Sequence, residues 1–542
     1  MIINQGIEEN LRFLIIEVQK QVERTAVYLR SPSFELLDEI LTRDDYIDNQ
    51  KSVIQKKCFQ GAADDASTID ALKSIEIIAV NLEKIGDFCE KVVRQLTYLE
   101  EERFLELFDF EPLFNDINDG IDNIPAAIFE KDIHVALAIC RAEQSIDDKY
   151  VVIFQAIMKM LKGGHNAQNL ITVLFIARYL ERIGDSLLNI GEAAASAYLG
   201  QTIKIGQMQS LQNSLQKTNS GSEISDLSLE SMGETKSGCR IDLVTETRSN
   251  TDATMFIFKE GRRKKMTQEK TGVELWDTLI PGIAPRIHAS HQNGDSSAIL
   301  FEYLNGVTLE KLILDGATPL LDEAVHALCD TLCMVWSRTL RRPTKTGAFT
   351  RQIGERIESV YDVHPDFASQ SQGMGDLELR SFDEQISCAN AIEESLTPPP
   401  EVLSHGDFNI DNILFDTSDR KIRFIDLHRT GMRDYMQDIS VFIVSNHRLR
   451  VSVPGQRDAV NRTVESFRSC TSAYAKSIDD RSFEMRLALG LARSYFTSTR
   501  FVLNKPFARD MLLRSRYLLE RVIEHGPDKP QKFKIPQEIF VV

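Results

Sequence analysis

The feature that most constrains this chain is an internal repeat within its first 200 residues. Residues 81–87 (NLEKIGD) recur as residues 179–185 (YLERIGD), 98 positions later. An acidic segment at 44–48 is matched by 143–147, 99 positions later. Because two separate segments share one offset to within a single residue, we infer that a unit of about 100 residues has been duplicated.

Apolar residues recur at helical spacing along nearly all of residues 7–200, and proline is almost absent inside these runs. The runs are 8–29, 34–59, 67–99, 105–129, 131–161 and 167–199. Long helices joined by short turns predict a helical bundle. Together with the repeat, this pattern predicts an all-α duplicated three-helix bundle over residues 1–200.

The pattern changes after residue 200. Residues 201–224 are rich in Ser, Gln, Asn and Gly, which predicts a flexible linker with some helical character. Short strand-like segments follow at 227–230, 240–246, 254–259 and 298–303, and the chain is mostly helical from about residue 320. Strands before helices predict an α+β unit over residues 225–542, with a small sheet lobe and a larger helical lobe. We therefore expect a multidomain protein.

Composition excludes several classes of function. The net charge of −17 argues against a nucleic-acid partner, because such proteins need basic surface to displace counterions from phosphates. No apolar stretch is long enough for a transmembrane helix, and the first residues lack the layout of a signal peptide. The 8 cysteines show no metal-ligand spacing, which is typical of free thiols. We expect a cytoplasmic protein.

Four carboxylate pairs with i, i+4 spacing lie within the predicted helical repeats. The pairs are Asp44/Asp48, Glu83/Asp87, Glu143/Asp147 and Glu181/Asp185. Each pair stands on one helix face, where mutual repulsion costs a few tenths of a kcal/mol. A bound hard cation such as magnesium, manganese, calcium or iron compensates that repulsion. A solvated acidic face is the alternative, but fourfold repetition favours metal binding.

A second group of polar residues lies in SHGDFNIDNILF (404–415) and IRFIDLHRTG (422–431). Phosphoryl transfer needs positioned phosphates, a metal ion and an oriented nucleophile. Asp407 would accept the proton of an incoming hydroxyl, while Asn412 and Asp426 would hold Mg²⁺. A strand–turn–strand hairpin would bring the three to one edge. The alternative, an ordinary loop and a strand cap, is disfavoured by the order and spacing of both segments.

Upstream residues are candidates for nucleotide contacts. Gly233, Ser237 and Gly238 lie between two predicted strands, where a loop would cover phosphates. Lys259 closes an apolar strand and could reach a phosphate or simply extend to solvent. We expect Glu269 to be its helix partner, with Glu274 as the second choice. Residues Glu302 and Tyr303 would link the lobes and meet adenine through backbone groups.

The repeated sequences NLEKIGDFCEKV and YLERIGDSLLNIGEA, each preceded by an acidic helix, resemble the phosphate-uptake regulator family, PhoU. The resemblance covers about residues 1–200 and implies metal clusters held by all eight carboxylates of the four pairs. It also implies regulation around phosphate transport or signalling. Gln144 stands where the first repeat has Asp45, so the two metal sites can differ.

The run SHGDFNIDNILF…IRFIDLHRTGMRDYMQDIS closely resembles the aminoglycoside phosphotransferase family of protein-kinase-like enzymes. The resemblance covers roughly residues 225–542 and implies ATP, Mg²⁺ and a bilobal kinase fold. It assigns Asp407 as the base, Asn412 and Asp426 as metal ligands and Lys259 as a phosphate contact. Asp438 is expected to be structural. Asp-Leu-His replaces the DFG of protein kinases, which favours a small-molecule substrate.

We therefore expect an ATP-dependent phosphotransferase that acts on a hydroxyl group of a small molecule and is regulated by a metal-binding PhoU-like domain. The alternative is a non-catalytic scaffold that binds a phosphate transporter or sensor. Expected partners are the hydroxyl substrate, a phosphate transporter or signalling protein, and a second copy of the chain in a homodimer.

Overall fold

The structure is a computed structural model of the 542-residue chain. It describes residues 5–64, 69–164, 166–199, 204–216, 227–234, 239–246, 254–316, 318–341, 348–368, 372–374 and 377–541. The chain forms two compact units. The first comprises Met1–Gly261 and His288–Leu300, and the second comprises Arg262–Ile287 and Phe301–Val542. The sheet strands thus group largely with the N-terminal helices, and the division at residues 200 and 225 stays a prediction.

Long helices make up the N-terminal part of the first unit. They are α1 (Gln5–Arg30), α2 (Phe34–Asp64), α3 (Ile69–Leu96), α4 (Glu111–Asp122), α5 (Ile124–Phe129), α6 (Ile133–Leu161) and α7 (Ala167–Leu199). The helix predicted over 105–129 is wrong as a single element. It breaks at Asn123 because Pro125 occupies the first turn of the next helix and has no backbone N–H to continue the previous one.

The two repeats pack their helices in the same way. A Cβ on Gly86 would lie 3.2 Å from Cδ1 of Ile47, and a Cβ on Gly184 would lie 3.2 Å from Cγ2 of Ile146. Both isoleucines are fully buried. The equivalent glycines therefore allow equivalent helices, α2 against α3 and α6 against α7, to approach closely.

A further helix and a five-stranded sheet complete the first unit. Helix α8 (Ile205–Gln216) lies within the predicted linker. The strands are β1 (Leu227–Glu234), β2 (Arg240–Glu246), β3 (Thr254–Arg262), β4 (Ile287–Asn293) and β5 (Ser296–Glu302), in the order β1-β2-β3-β5-β4. Strand β2 is antiparallel to both β1 and β3. Strand β4 was missed because its sequence, IHASHQN, lacks the apolar alternation of a half-buried strand.

Helix α8 joins the helical bundle to the sheet. Its buried Met208, Leu211 and Leu215 belong to one continuous apolar core with bundle residues and with Phe256 and Phe258 of β3. At its start, the Ile205 backbone N–H donates to the Glu192 carboxylate of α7 at 2.9 Å. Arg240 of β2 donates to the Gln207 side chain at 3.1 Å. The bundle and the sheet are therefore one packed body.

The second unit is mainly helical. Its helices are α9 (Arg263–Leu279), α10 (Leu309–Leu314), α11 (Pro319–Thr339), α12 (Phe349–Gly354), α13 (Ile357–Tyr361), α14 (Phe382–Ser395), α15 (Met436–His447), α16 (Pro454–Ser477), α17 (Phe483–Ser498) and α18 (Lys505–His525). Its strands are β6 (Val307–Thr308), β7 (Gln372–Met374), β8 (Leu377–Leu379), β9 (Glu401–Ser404), β10 (Ile413–Asp416), β11 (Lys421–Phe424) and β12 (Gly431–Asp434). They form three small sheets, β11-β10-β6, β12-β9 and β7-β8. Among the described helices, none is long and apolar enough to cross a membrane.

Candidate active site

The hairpin predicted between the segments 404–415 and 422–431 is present. Strands β10 and β11 are antiparallel, and Ile413 pairs with Phe424. The Ile425 backbone N–H then donates to the Asn412 carbonyl at 3.1 Å. This register carries Asn412 and Asp426 to the same end of the hairpin, because each lies just outside a paired strand end.

The loop before Asp407 is held by a buried carboxylate. Asp438, at the start of α15, is 1% exposed and accepts the backbone N–H groups of His405 at 2.8 Å and Gly406 at 2.9 Å. The buried imidazole of His405 contacts the Ile425 carbonyl at 2.9 Å. Burial raises the pKa of Asp438, and the two backbone donors oppose that rise. Asp438 thus holds the loop through its backbone, and the His405 side chain ties it to Ile425.

Gly406 has a conformation and a surrounding that only glycine tolerates. Its φ is +83°, and a Cβ there would lie 2.3 Å from the Arg429 carbonyl oxygen. The backbone of the β9 loop therefore lies directly against the segment that follows Asp426.

The Asp407 and Asp426 carboxylates are partly accessible, whereas the Asn412 side chain is buried. The Asn412 amide donates to the Asp407 carbonyl at 2.9 Å, and the Asn409 amide donates to the Asp407 carboxylate at 3.2 Å. The Asp407 side chain is 21% exposed and that of Asp426 is 20% exposed. Each carboxylate can therefore be reached from solvent while its backbone is fixed.

Two residues that sequence reasoning missed connect the carboxylates. Nδ1 of His428 lies 3.1 Å from the Asp426 carboxylate, and Arg429 Nε donates to His428 Nε2 at 3.2 Å. Because the Arg429 Nε–H can only donate, His428 Nε2 accepts and the Nδ1–H donates to Asp426. Arg429 also pairs with the Asp407 carboxylate at 3.4 Å. The only sequence signal was their position directly after Asp426.

Helix α9 places Glu269 beside Asp426. Glu269 is 3% exposed, and ligand atoms of Glu269, Asp426 and His428 lie within 4.8 Å of one another. A Cβ on Gly272 would lie 2.2 Å from the Leu427 carbonyl oxygen, so α9 packs directly on this turn. Glu274 instead has a 61% exposed side chain near Lys270.

Three of the other predicted nucleotide residues, Gly233, Lys259 and Glu302, lie on strands of the five-stranded sheet. Lys259 of β3 is 4% exposed and pairs through its backbone with Ile241 of β2. Gly233 of β1 also lies opposite Ile241, next to an irregularity in the register. Ser237 and Gly238 lie outside the described residues. The Glu302 carboxylate accepts from the Arg286 backbone at 3.1 Å, and Tyr303 is half-buried.

The acidic pairs of the first repeat surround one partly buried carboxylate. Burial and the neighbouring Glu90, Asp87 and Glu83 raise the pKa of Asp44 to about 6. Its Oδ1 is buried without a hydrogen-bond partner. Lys51 pairs with Asp48 at 2.5 Å and with Glu83 at 3.1 Å, so a lysine neutralises part of this cluster.

The second repeat has a similar acidic cluster, which is paired with arginine side chains instead of a lysine. Burial and nearby carboxylates, including Asp185, raise the pKa values of Glu143 and Glu181. Arg178 pairs with Glu181 at 2.6 Å, and Arg182 pairs with Asp185 at 2.9 Å. In the first repeat Asp87 pairs with Lys91 at 3.8 Å. In the second, the charge of Asp147 is among those that raise the pKa values of Glu143 and Glu181. Within the described residues, the bundle brings no three of these carboxylates within 4.8 Å of one another.

Comparison with known protein families agrees with both halves. Residues 14–96 and 113–194 match the PhoU domain family, and residues 275–468 match the phosphotransferase enzyme family, APH. The chain is a fusion of a PhoU-like region and an APH-like phosphotransferase region. The predicted fold class, a duplicated all-α bundle followed by an α+β protein-kinase-like domain, is confirmed, and the chain is a phosphotransferase of the kinase type.

Individual relatives match one half at a time. The PhoU homologue of Clostridium acetobutylicum is 23% identical over 193 residues, which are 34% of this chain and 88% of that protein. PhoU of Escherichia coli is 25% identical over 180 residues, 32% of this chain and 75% of that protein. Among solved structures, PhoU from Pseudomonas aeruginosa has 21% identity and a TM-score of 0.33, covering 36% of this chain and 97% of that one. Aminoglycoside-3'-phosphotransferase of type VIII has 15% identity and a TM-score of 0.35, covering 53% and 97%.

The conformation of Gly406 yields a first prediction. We expect Gly406→Ala to lower the free energy of unfolding by about 1–3 kcal/mol, because the methyl group meets a backbone carbonyl at a positive φ. Chemical denaturation measures the change. Gly455→Ala is the matched control, since a Cβ there has nothing within 4 Å. Equal stability of the two variants would contradict the tight loop packing.

Asp44 yields a second prediction. Its pKa is raised from 3.8 to about 6 in the folded chain, so the fold is favoured below pH 4 and loses stability as the pH rises through 6. In EDTA at pH 8, Asp44→Asn should therefore raise the free energy of unfolding by roughly 1 kcal/mol, and the gain should vanish at pH 4. Denaturation at both pH values measures it, with Asp38→Asn, an exposed aspartate on the same helix, as control. A destabilised Asp44→Asn at pH 8 would contradict the assignment.

Proposed function

We propose that the chain is an ATP- and Mg²⁺-dependent kinase that phosphorylates a hydroxyl group of a small molecule. The observation that carries the proposal is the hairpin register that brings Asn412 and Asp426 together, next to a loop fixed by Asp438. The partly exposed Asp407 and Asp426 carboxylates and the buried Asn412 amide, held on a fixed backbone, suit a hard cation and a proton acceptor. The match to the phosphotransferase family supports the same reading.

The residues divide the chemistry among them. The acceptor oxygen forms a bond to the γ-phosphorus while the bond between the γ-phosphorus and the β–γ bridging oxygen breaks. The hydroxyl proton passes to Asp407, and ADP leaves. Asn412 and Asp426 would hold Mg²⁺, which supplies charge neutralisation at the phosphates. His428 fixes the orientation of the Asp426 carboxylate through its Nδ1–H.

The remaining assignments concern the nucleotide. We assign Lys259 to the phosphates and Glu269 as its expected partner. The predicted loop with Gly233, Ser237 and Gly238 would cover the phosphates, and the backbone at Glu302 and Tyr303 would meet adenine. These roles rest on the sequence resemblance and on the burial of Lys259 and Glu269.

Replacement of the base tests the proposal. Asp407→Asn should lower ADP release with Mg²⁺, ATP and an accepted hydroxyl compound by about 10²–10⁴-fold, because the amide cannot take the proton. Asp479→Asn is a matched control: this aspartate is exposed, pairs with Arg481 at 3.3 Å and has a φ of +54° that asparagine also adopts. Unchanged ADP release in Asp407→Asn would instead support the non-catalytic scaffold.

We further propose that the PhoU-like bundle regulates the kinase in response to phosphate status, with divalent or iron-type metal at its acidic pairs. Asp44 Oδ1 and Glu181 Oε2, buried and without hydrogen-bond partners, are oxygen ligands of the kind such ions take. The common core through α8 supplies the mechanical connection to the strand that carries Lys259. A phosphate transporter or signalling protein is the partner that this reading expects. Free cysteines fit a cytoplasmic location.

Helix α8 provides the test of this coupling. Leu211 is 1% exposed in the common core, and Leu211→Ala should cost about 2–4 kcal/mol of stability. If α8 couples the two parts, amide hydrogen exchange should accelerate in both α7 and β3, and the KM for ATP should rise. The exposed Gln209→Ala should change neither. Faster exchange confined to α8 would contradict the coupling.

A further inference from the structure

Two arginines lie beside Asp407 and the residue before it, Gly406. Arg429 pairs with the Asp407 carboxylate at 3.4 Å. Arg433 lies beside Gly406, the residue before Asp407. Its Nη1 is 2.8 Å from the position that a Cβ on Gly406 would take. Both cations therefore stand next to the proposed base rather than on a distant surface.

A third arginine, on α17, is buried. Arg493 of α17 is 7% exposed and donates from Nη2 to Gln437 at 2.9 Å and to Ser440 at 3.2 Å. Its Nε is buried without a hydrogen-bond partner. Burial, together with Arg433 and Arg429, lowers the pKa of Arg493 to about 10. The positive charges of Arg433 and Arg429 therefore act on the buried Arg493 guanidinium.

Arg500 and Arg356 extend the cluster. The half-buried Arg500 also has an Nε without a partner. Burial, Arg356 and Arg429 all lower the pKa of Arg500, while Asp407 opposes them. The carboxylates that act on Arg493 and Arg500 are Asp407 and Asp438, and Asp438 already accepts two backbone donors. We name this set the arginine cluster: Arg356, Arg429, Arg433, Arg493 and Arg500.

We infer that the arginine cluster is the acceptor subsite and that the phosphoryl acceptor is an anionic hydroxyl compound bearing a phosphate or carboxylate. This rests on the proposed kinase function and names its substrate class. Guanidinium groups match the oxygens of both anions in paired hydrogen bonds. Two buried Nε donors have no other partner, so an anion would satisfy them. A cationic amino sugar would be repelled by the same five charges.

Calorimetry on the full chain tests the inference. The nucleotide site is first saturated with Mg²⁺ and the non-hydrolysable analogue AMP-PNP, so that acceptor binding is measured alone. Glycerol 3-phosphate, glycerate, glycerol and ethanolamine are then titrated as phosphate, carboxylate, neutral and cationic probes. We expect heat from an anionic probe and none from glycerol or ethanolamine. The phosphate and carboxylate arms identify which anion is preferred.

Variants assign the binding to the cluster. Arg500→Gln and the exposed Arg356→Gln should each lower the affinity for the anionic probe by about tenfold or more. Arg500→Lys should keep part of the affinity that Arg500→Gln loses. Arg351→Gln, whose side chain is 72% exposed beside Glu355, should leave the affinity unchanged. Affinity for AMP-PNP should be the same in all variants.

The outcomes separate this inference from the kinase assignment. The anionic subsite is overturned if ethanolamine binds in preference to the anions or if neither anion binds. It is also overturned if Arg500→Gln binds the anionic probe as tightly as wild type, or if the variants lose affinity for AMP-PNP rather than for the anionic probe. Anion binding without ADP release from ATP for any hydroxyl compound would leave the subsite standing and overturn the kinase.

Discussion

The Asp438 carboxylate is the constraint on which the candidate site depends. By accepting the backbone N–H groups of His405 and Gly406, it fixes the loop that ends at Asp407. A buried carboxylate without donors would be strongly disfavoured, and the two backbone bonds make its burial tolerable. The same loop contacts Ile425 through His405, so one interaction sets the backbone positions of Asp407 and Asp426 together.

The joining of bundle and sheet is the second organising feature. Sequence composition predicted a flexible linker, yet α8 buries Met208, Leu211 and Leu215 in the core of the first unit. Between these positions the helix is polar, so its composition is that of a linker while its apolar face is that of a packed helix. Strand β3, which carries Lys259, therefore shares one apolar core with the PhoU-like bundle.

How far the sequence predicts the structure differs between elements. The recurrence of NLEKIGD as YLERIGD predicted equivalent helices in the two repeats, and the structure shows that these helices pack closely at Gly86 and Gly184. The β10–β11 hairpin was predicted from two short apolar runs. The break at Pro125 was missed because apolar periodicity continues across it. The arginine cluster was also missed, since its members lie on three separate segments between residues 356 and 500 and only folding brings them together.

The central claim is that Asn412 and Asp426 hold a divalent ion beside the Asp407 loop. A crystal structure of the full chain with Mn²⁺ and AMP-PNP tests it directly, because anomalous scattering locates manganese without assumptions about the protein. We predict a manganese peak within about 2.5 Å of the Asn412 amide oxygen and an Asp426 carboxylate oxygen, in contact with the analogue's phosphates. Manganese bound to the phosphates but away from both side chains would contradict the account.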